Sequence, residues 1–562
     1  MREKTFVFKK TDIVFALFVC LFTLCQVYRA PFGLDRCDEC FYLTVPYRLL
    51  QGDVPVVHEW NLSQLAGLLL TPIMWVYEGL GGSGEGIVLA FRYIYAAFQS
   101  AAAIAIYLLL RKKNTLGALL AALVFLPFSP YYIMALSYNS MGIGLLTLAG
   151  LVTGCCPSKA GRITAGLMFA GAVLCCPFLV LLYVSAGVIL LICGDKAAFK
   201  AFGWFTLGCA AAALAVAAAI LPRTSLRDIG SSVLQILNDP EHSDITLVQR
   251  TGMFFKHLLF SRKISLLSSA AAFVLLCASL TDKKRGEHKA FYAAAAALTA
   301  IVFTAVNYRS YNYINFYMLP LTIPGAVCYV LDENRDKDIF RFVYLTGWAY
   351  AYFMILSSNN FYEALTASLT VSSVASAFFA GKTAQELFLK GKAKNMAASV
   401  LCIGCAAAVC TAVTVGKNEY AHCTYLDFSL FPTKMLNYTI EEGPAKGLIT
   451  YDNEYTKYCR IYEQAEPARN AEGENVLYLT HDCYLYLADS KRAAGYSGWL
   501  SVDYEQSTLE RLREYYALCP EKTPDVVYIE KELNEPRMFA SLIRTEDFEL
   551  TENDTAYIYI RK

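Results

Sequence analysis

The sequence predicts a polytopic α-helical membrane protein that ends in a soluble α/β domain. Of its 562 residues, 56% are hydrophobic and only 17% are charged, against about 45–50% and about 25% in soluble domains. The apolar residues gather in runs long enough to cross a hydrocarbon core of about 30 Å. Charge is also divided: residues 417–562 hold 16 basic and 26 acidic residues (net −10). Of the 49 basic and 48 acidic residues in all, that leaves 33 and 22 (net +11) for residues 1–416. These features exclude a cytosolic enzyme, a disordered chain and a nucleic-acid-binding protein.

The first apolar run, Asp12 to Tyr28, follows Arg2, Lys4, Lys9 and Lys10. Val27-Tyr28-Arg29 before Ala30 is a poor cleavage site, so a retained first helix with a cytoplasmic N-terminus is expected. Further runs fall near 86–110, 115–134, 138–154, 199–221, 264–281, 289–306, 312–331, 340–357, 361–380 and 396–415. The stretch 163–193 is too long for one span, and Pro177 divides it into two. The run 62–80 is expected to lie along the outer surface, because a crossing there would put Arg111-Lys112-Lys113 outside, against the positive-inside rule.

The result is 13 spans in a plasma membrane, N-terminus in and C-terminus out. Inner segments then hold 22 Lys/Arg and outer ones before the tail 11. The domains are 1–416, membrane-embedded, and 417–562, extracytoplasmic. Long outer loops fall at 29–85 and 222–263. In the second, Ile229, Val233, Ile236 and Leu237 follow a helical spacing that suits a segment lying in the headgroup layer. In the tail, Val476 to Leu479, Val526 to Ile529 and Ala556 to Ile560 read as strands, with a helix from Leu509 to Leu518.

Most of the 19 cysteines sit in apolar runs as small hydrophobes. Cys37, Cys40, Cys423, Cys459, Cys483 and Cys519 lie in polar segments. No set has zinc-site spacing with histidines, and a disulfide among the tail cysteines is an open alternative. Cys37 and Cys40 flank two carboxylates, but a bond across that helical step would be strained, and they are read as incidental.

The main chemical signal is in the first outer loop: Cys37-Asp38-Glu39-Cys40-Phe41-Tyr42, then Leu50-Gln51-Gly52-Asp53-Val54-Pro55, then His58-Glu59-Trp60-Asn61. Two adjacent acids beyond a membrane helix, followed by an amphipathic stretch (Phe41, Val45, Leu49), place carboxylates at the membrane surface. One could take a proton from a hydroxyl, and the pair could hold a divalent cation. The plainer alternative is that Asp38 and Glu39 cap the helix starting near Phe41.

This order of motifs resembles the opening of GT-C glycosyltransferases, polytopic enzymes that use polyprenyl-phosphate sugars and include protein O-mannosyltransferases and aminoarabinose transferases. Phe91-Arg92 at the start of the next span resembles an aromatic-or-small residue plus Arg in that family. Tyr317-Met318-Leu319-Pro320 with Pro324 resembles its Tyr-x-Leu-Pro helix. The resemblance implies a GT-C-like membrane domain and an inverting hexosyl or pentosyl transfer from a polyprenyl-phosphate donor. The implied acceptor is a hydroxyl on an envelope glycan, lipid or protein.

It implies Asp38 as catalytic base, with Glu39 assisting or helping to bind a divalent cation such as Mg or Mn. Several relatives place a Lys where this chain has Cys175-Cys176-Pro177, so another cation must meet the donor phosphate. Arg309 is the first candidate, in Asn307-Tyr308-Arg309-Ser310-Tyr311, because its planar fork suits phosphate oxygens. Tyr308 and Tyr311 could pack on prenyl or sugar; the alternative is an aromatic belt with a snorkelling cation. Arg92 is a second candidate.

Lys256 and Arg262 could meet lipid phosphates, although headgroup contact accounts for them better. His58 and Glu59 could serve acceptor or metal binding, or be ordinary loop polarity. Tyr138 and Asn139 could line the cavity, or Asn139 could cap its helix. Gly79 to Gly86 lacks a following Lys-Ser/Thr and reads as a connection rather than a phosphate loop. A transporter or lipid flippase with an extracellular domain is the rival class. It calls for paired interrupted helices and midplane charges, whereas the acids here cluster at the outer surface.

Overall fold

Apolar runs and the prolines that interrupt them set the order of elements. The computed structural model describes residues 10–238, 245–308, 318–357, 361–423, 430–500 and 502–562. The chain is a polytopic helical membrane protein followed by a sheet-containing unit. Among the described residues six helices are long and apolar enough to cross a membrane: Lys10–Arg29 (α1), Ile87–Leu110, Lys196–Arg223, Lys289–Asn307, Lys337–Ser357 and Ala393–Glu419. Two bent pairs, Leu247–Phe260 with Ser265–Thr281 (89°) and Tyr362–Ser368 with Thr370–Leu389 (43°), raise this to eight.

Thirteen runs of spanning length are expected from sequence, and several prove to be short helices. The helix Thr115–Phe125 stops before Pro127 and Pro130, since proline removes a donor and forces the preceding residue out of helical geometry. Pro177 acts as expected: one helix ends at Cys175 and another begins at Val180. On α1, Ile13, Leu17, Leu21 and Leu24 are exposed along one face, the stripe a helix turns toward lipid.

Beyond α1, two 13-residue helices follow, Asp38–Leu50 (α2) and Gly67–Gly79 (α3). At 1.5 Å per residue each is about 20 Å long, short of the bilayer core. In the second outer loop the helix Leu226–Leu237 packs Ile229 and Ile236 against the C-terminal core, while Val233 is left exposed. Leu226, Leu234 and Leu237 stay exposed.

The helix Ala393–Glu419 runs past the boundary drawn at residue 417, and every named strand among the described residues follows it. Strands Tyr420–His422 (β1) and Leu430–Pro432 (β2) pair, as do Tyr438–Thr439 (β3) and Ile449–Thr450 (β4). The main sheet has the order β6-β5-β7-β9-β8, with β5 Asn475–Leu479, β6 Arg492–Ala493, β7 Val526–Glu530, β8 Phe548–Glu552 and β9 Ala556–Arg561. β6, β5 and β7 are parallel, while β9 and β8 join antiparallel. β5 and β7 are buried along their length, which explains their unbroken apolar sequences. The helix Glu505–Leu518 covers one face with Leu509, Leu512 and Tyr515.

The loop from α1 to α2 reaches the tail directly. Phe32 bridges to Ile449, and Gly33 sits at φ +89, where an added Cβ would collide with the His422 carbonyl. Only glycine supplies both that backbone and that closeness.

Candidate functional site

Three acids at the start of α2 divide the work. Asp35 Oδ1 accepts hydrogen bonds from the backbone N–H groups of Cys37 and Asp38, each at 3.0 Å. Asp35 therefore satisfies part of the helix start, while Asp38 and Glu39 stand in its first turn, where acids suit the helix dipole. Glu39 is buried and forms a bidentate pair with Arg92: Nε donates to Oε1 at 2.7 Å and Nη2 to Oε2 at 2.6 Å. Asp38 is the half-buried member.

Arg92 does not have the role expected of it. Its remaining donors go to the carbonyls of Ala30 (2.6 Å), Phe32 (3.2 Å) and Gly33 (3.0 Å). All five N–H donors are spent inside the protein, so Arg92 orients Glu39 and the chain leaving α1 instead of meeting a donor phosphate. Both Glu39 oxygens are equally committed. The Asp38–Glu39 pair thus does not fit a two-carboxylate cation site.

Asp38 faces an aromatic wall. Burial first, then the Asp38 charge, push the Tyr42 phenol well above its ordinary value. The Tyr42 and Tyr138 rings meet edge-on at 5.8 Å and 82°. Tyr131 and Tyr132 lie at φ 56 and φ 62. Bulky side chains rarely adopt that backbone, which costs on the order of 1–3 kcal/mol per residue and is held only where surrounding structure enforces it. Ser137, with its reciprocal bond to Ser140, caps the helix Tyr138–Cys155; Asn139, read as a cap from sequence, is buried behind it.

Tyr308 ends the helix Lys289–Asn307 as an exposed C-cap. Arg309 and Tyr311 lie outside the described residues. From the Tyr-x-Leu-Pro segment, Leu319 and Pro320 line an apolar groove of about 190 Å³ with Leu258, Phe273, Phe303 and Trp348.

His58 and Glu59 belong to a second cluster, built around Arg48. Arg48 donates to Asp53 (2.7 Å), Glu59 (2.8 Å) and the carbonyls of His58 (2.6 Å) and Gly495 (2.9 Å). Lys522 of the tail pairs with Asp53, and Gly498 N–H donates to Glu59 at 3.1 Å. Against burial, which works the other way, Arg48 and Lys522 hold Asp53 below its ordinary value; for Glu59 burial wins and raises it. The expectation that Glu59 binds acceptor or metal is replaced by this role: it locks the first loop to the tail.

His58, Cys519 and Glu521 bring possible ligand atoms within 4.8 Å of one another, but the wiring opposes a metal. His58 Nδ1 accepts from Val54 N–H at 3.0 Å, so the proton sits on Nε2, the atom 3.1 Å from Glu521 Oε1. With Nδ1 and Nε2 both engaged, the His58 ring offers a metal no free lone pair.

A third cluster sits at the carboxyl ends of β5 and β7. Arg36, two residues before Asp38, pairs with Glu454 and Asp482. Thr480 Oγ1 donates to Glu530 at 2.6 Å. Burial, then the neighbouring Asp482, push Glu530 up to about 7. The folded chain therefore keeps a proton there that the unfolded chain loses in the ordinary carboxylate range. That contribution is fully present at low pH and is lost as pH rises to about 7. Glu530→Gln should leave the thermal midpoint nearly unchanged at pH 4 and raise it relative to wild type at pH 8, by the equivalent of on the order of 3 kcal/mol. An equal difference at both pH values would refute this.

Sequence reasoning missed Asp35, Arg36 and Arg48. Asp35 carried a signal, an acid just ahead of a helix start. The partners of the two arginines in the tail left none.

No family model matches the chain, and no curated protein matches it. Among solved structures, 98% of the chain is similar to 74% of the archaeal oligosaccharyltransferase AglB from Archaeoglobus fulgidus, in complex with an inhibitory peptide and a dolichol-phosphate, at TM-score 0.43 and 10% identity. Again over 98% of its length, it is similar to 98% of ArnT from Cupriavidus metallidurans bound to undecaprenyl phosphate, at TM-score 0.43 and 14% identity. Likeness at this level carries no argument about chemistry.

Proposed function

We propose that the chain is a membrane glycosyltransferase moving a sugar from a polyprenyl-phosphate donor to an acceptor hydroxyl on the extracytoplasmic side. The observation that carries this reading is the division of the three acids. Asp35 caps α2, Glu39 is bound to Arg92, and Asp38 is presented half-buried against Tyr42 and Tyr138 beside a strained loop. Such a carboxylate is placed as a general base is. The motifs of the first loop resemble those of GT-C transferases at the same residues.

In the proposed step the acceptor oxygen attacks the anomeric carbon from the face opposite the phosphate. The carbon–oxygen bond to phosphate breaks, Asp38 takes the hydroxyl proton, and polyprenyl phosphate leaves with inversion. Arg309 is the proposed cation for the departing phosphate, and the apolar groove at Leu319 and Pro320 suits a prenyl chain. The acceptor is an envelope glycan, lipid or protein.

Mass spectrometry of envelope glycans and lipids from a deletion strain tests the reading, because it reports sugar and acceptor together. One sugar addition should be lost and restored by the wild-type gene. Unchanged glycans, lipids and glycoproteins would overturn the proposal.

A further inference from the structure

We infer that Cys37 and Cys483 form a disulfide that bolts α2 to the C-terminal unit. Their Sγ atoms lie 4.0 Å apart although the residues are 446 positions apart in sequence, and both side chains are buried. The surfaces carrying them are fixed on every side. Arg36 pairs with Asp482, the residue before Cys483. Thr44 Oγ1 donates to the Cys483 carbonyl at 3.4 Å, and Phe41 meets Trp499 edge-on at 6.1 Å. A disulfide needs about 2.05 Å between sulfurs, so the pair must close by about 2 Å, within reach of side-chain rotation. Cys40 is the nearer neighbour in sequence, but its thiol donates to the Asp35 carbonyl at 3.4 Å, and it shares a helical turn with Cys37, where a bond is strained.

The bond would form by thiol–disulfide exchange with an external disulfide, either an oxidised dithiol oxidase or a small-molecule disulfide. One cysteine thiolate attacks that disulfide, giving a mixed disulfide and one free thiol of the oxidant. The second cysteine thiolate then displaces the other oxidant sulfur. Two thiols become one S–S bond, the oxidant gains two electrons, and the two protons end on its thiols. Burial pushes the docked Cys37 thiol well above its ordinary value, so the exchange belongs to the time when the tail settles on α2, and the finished bond is shielded from reductant. Cys37 immediately precedes Asp38, so the link also fixes the first turn of α2 against the tail.

The test uses the full chain, extracted from membranes without reductant, denatured in N-ethylmaleimide, digested and analysed by mass spectrometry. The expected result is a peptide containing Cys37 linked to one containing Cys483, separated by reduction, with Cys37 becoming alkylated before reduction in Cys483→Ser. Alkylation of both cysteines in the unreduced wild type, or a Cys37–Cys40 link, would overturn the inference. The wild-type measurement decides even if the variant fails to fold. No sugar transfer is read, so this outcome is separable from that of the enzymatic proposal.

Discussion

Asp38→Asn abolishes sugar transfer while leaving the protein in the membrane at wild-type abundance. General-base catalysis contributes about 10²–10⁴-fold, and an amide cannot accept the acceptor proton, so kcat should fall by that range. KM for the donor should change little if, as proposed, the prenyl chain and phosphate bind at the Leu319 groove and Arg309 rather than at Asp38. Folding should survive, since asparagine keeps the shape of Asp38, Asp35 holds the N–H groups of Cys37 and Asp38, and Glu39 makes the buried ion pair. The measurement is release of polyprenyl phosphate by purified protein with a polyprenyl-phosphate sugar and acceptor. Wild-type turnover in the variant would remove the base assignment.

Arg48→Met carries the largest expected cost in stability. The guanidinium is 1% exposed and sits between two buried carboxylates, Asp53 and Glu59. Lys522 can still neutralise Asp53, but Glu59 keeps no cation and is left with the N–H groups of Gly498 and Asn61 and the Ser497 side chain. Removing one partner of a buried pair costs about 3–5 kcal/mol, a fall on the order of 10 °C in midpoint for a unit of this size. The double variant Arg48→Met with Glu59→Gln should recover part of that loss, because the orphaned charge is gone. Thermal unfolding of the detergent-solubilised chain reads both. A midpoint within 2 °C of wild type for the single variant would show that water, not Arg48, satisfies Glu59.

What was legible in the sequence was whatever depends on neighbours in the chain. The strand at Val526 to Ile529 emerges as Val526–Glu530, that at Ala556 to Ile560 as Ala556–Arg561, and the helix at Leu509 to Leu518 as Glu505–Leu518. Each rests on local periodicity, and so does the break at Pro177. The apolar run 115–134 outlasts the helix it forms, Thr115–Phe125, because Pro127 and Pro130 end the helix where the apolarity continues. Site residues were harder. Asp38 and Glu39 are adjacent and chemically alike, and what separates them is Arg92, 53 positions beyond Glu39. Arg92 looks like a phosphate ligand from its own neighbourhood; it is the carbonyls of Ala30, Phe32 and Gly33, brought to it by the fold, that consume it. Lys522 lies 469 positions from Asp53, and no pattern within a window of sequence announces such a pair.

The grip of Arg36 on Glu454 and Asp482 bears on how this gene can change. The loop that starts α2 and the domain that closes the chain are not interchangeable parts. A chimera given a foreign ending without those two acids would leave a half-buried guanidinium without its carboxylates at the start of α2, so the two segments are expected to change in step.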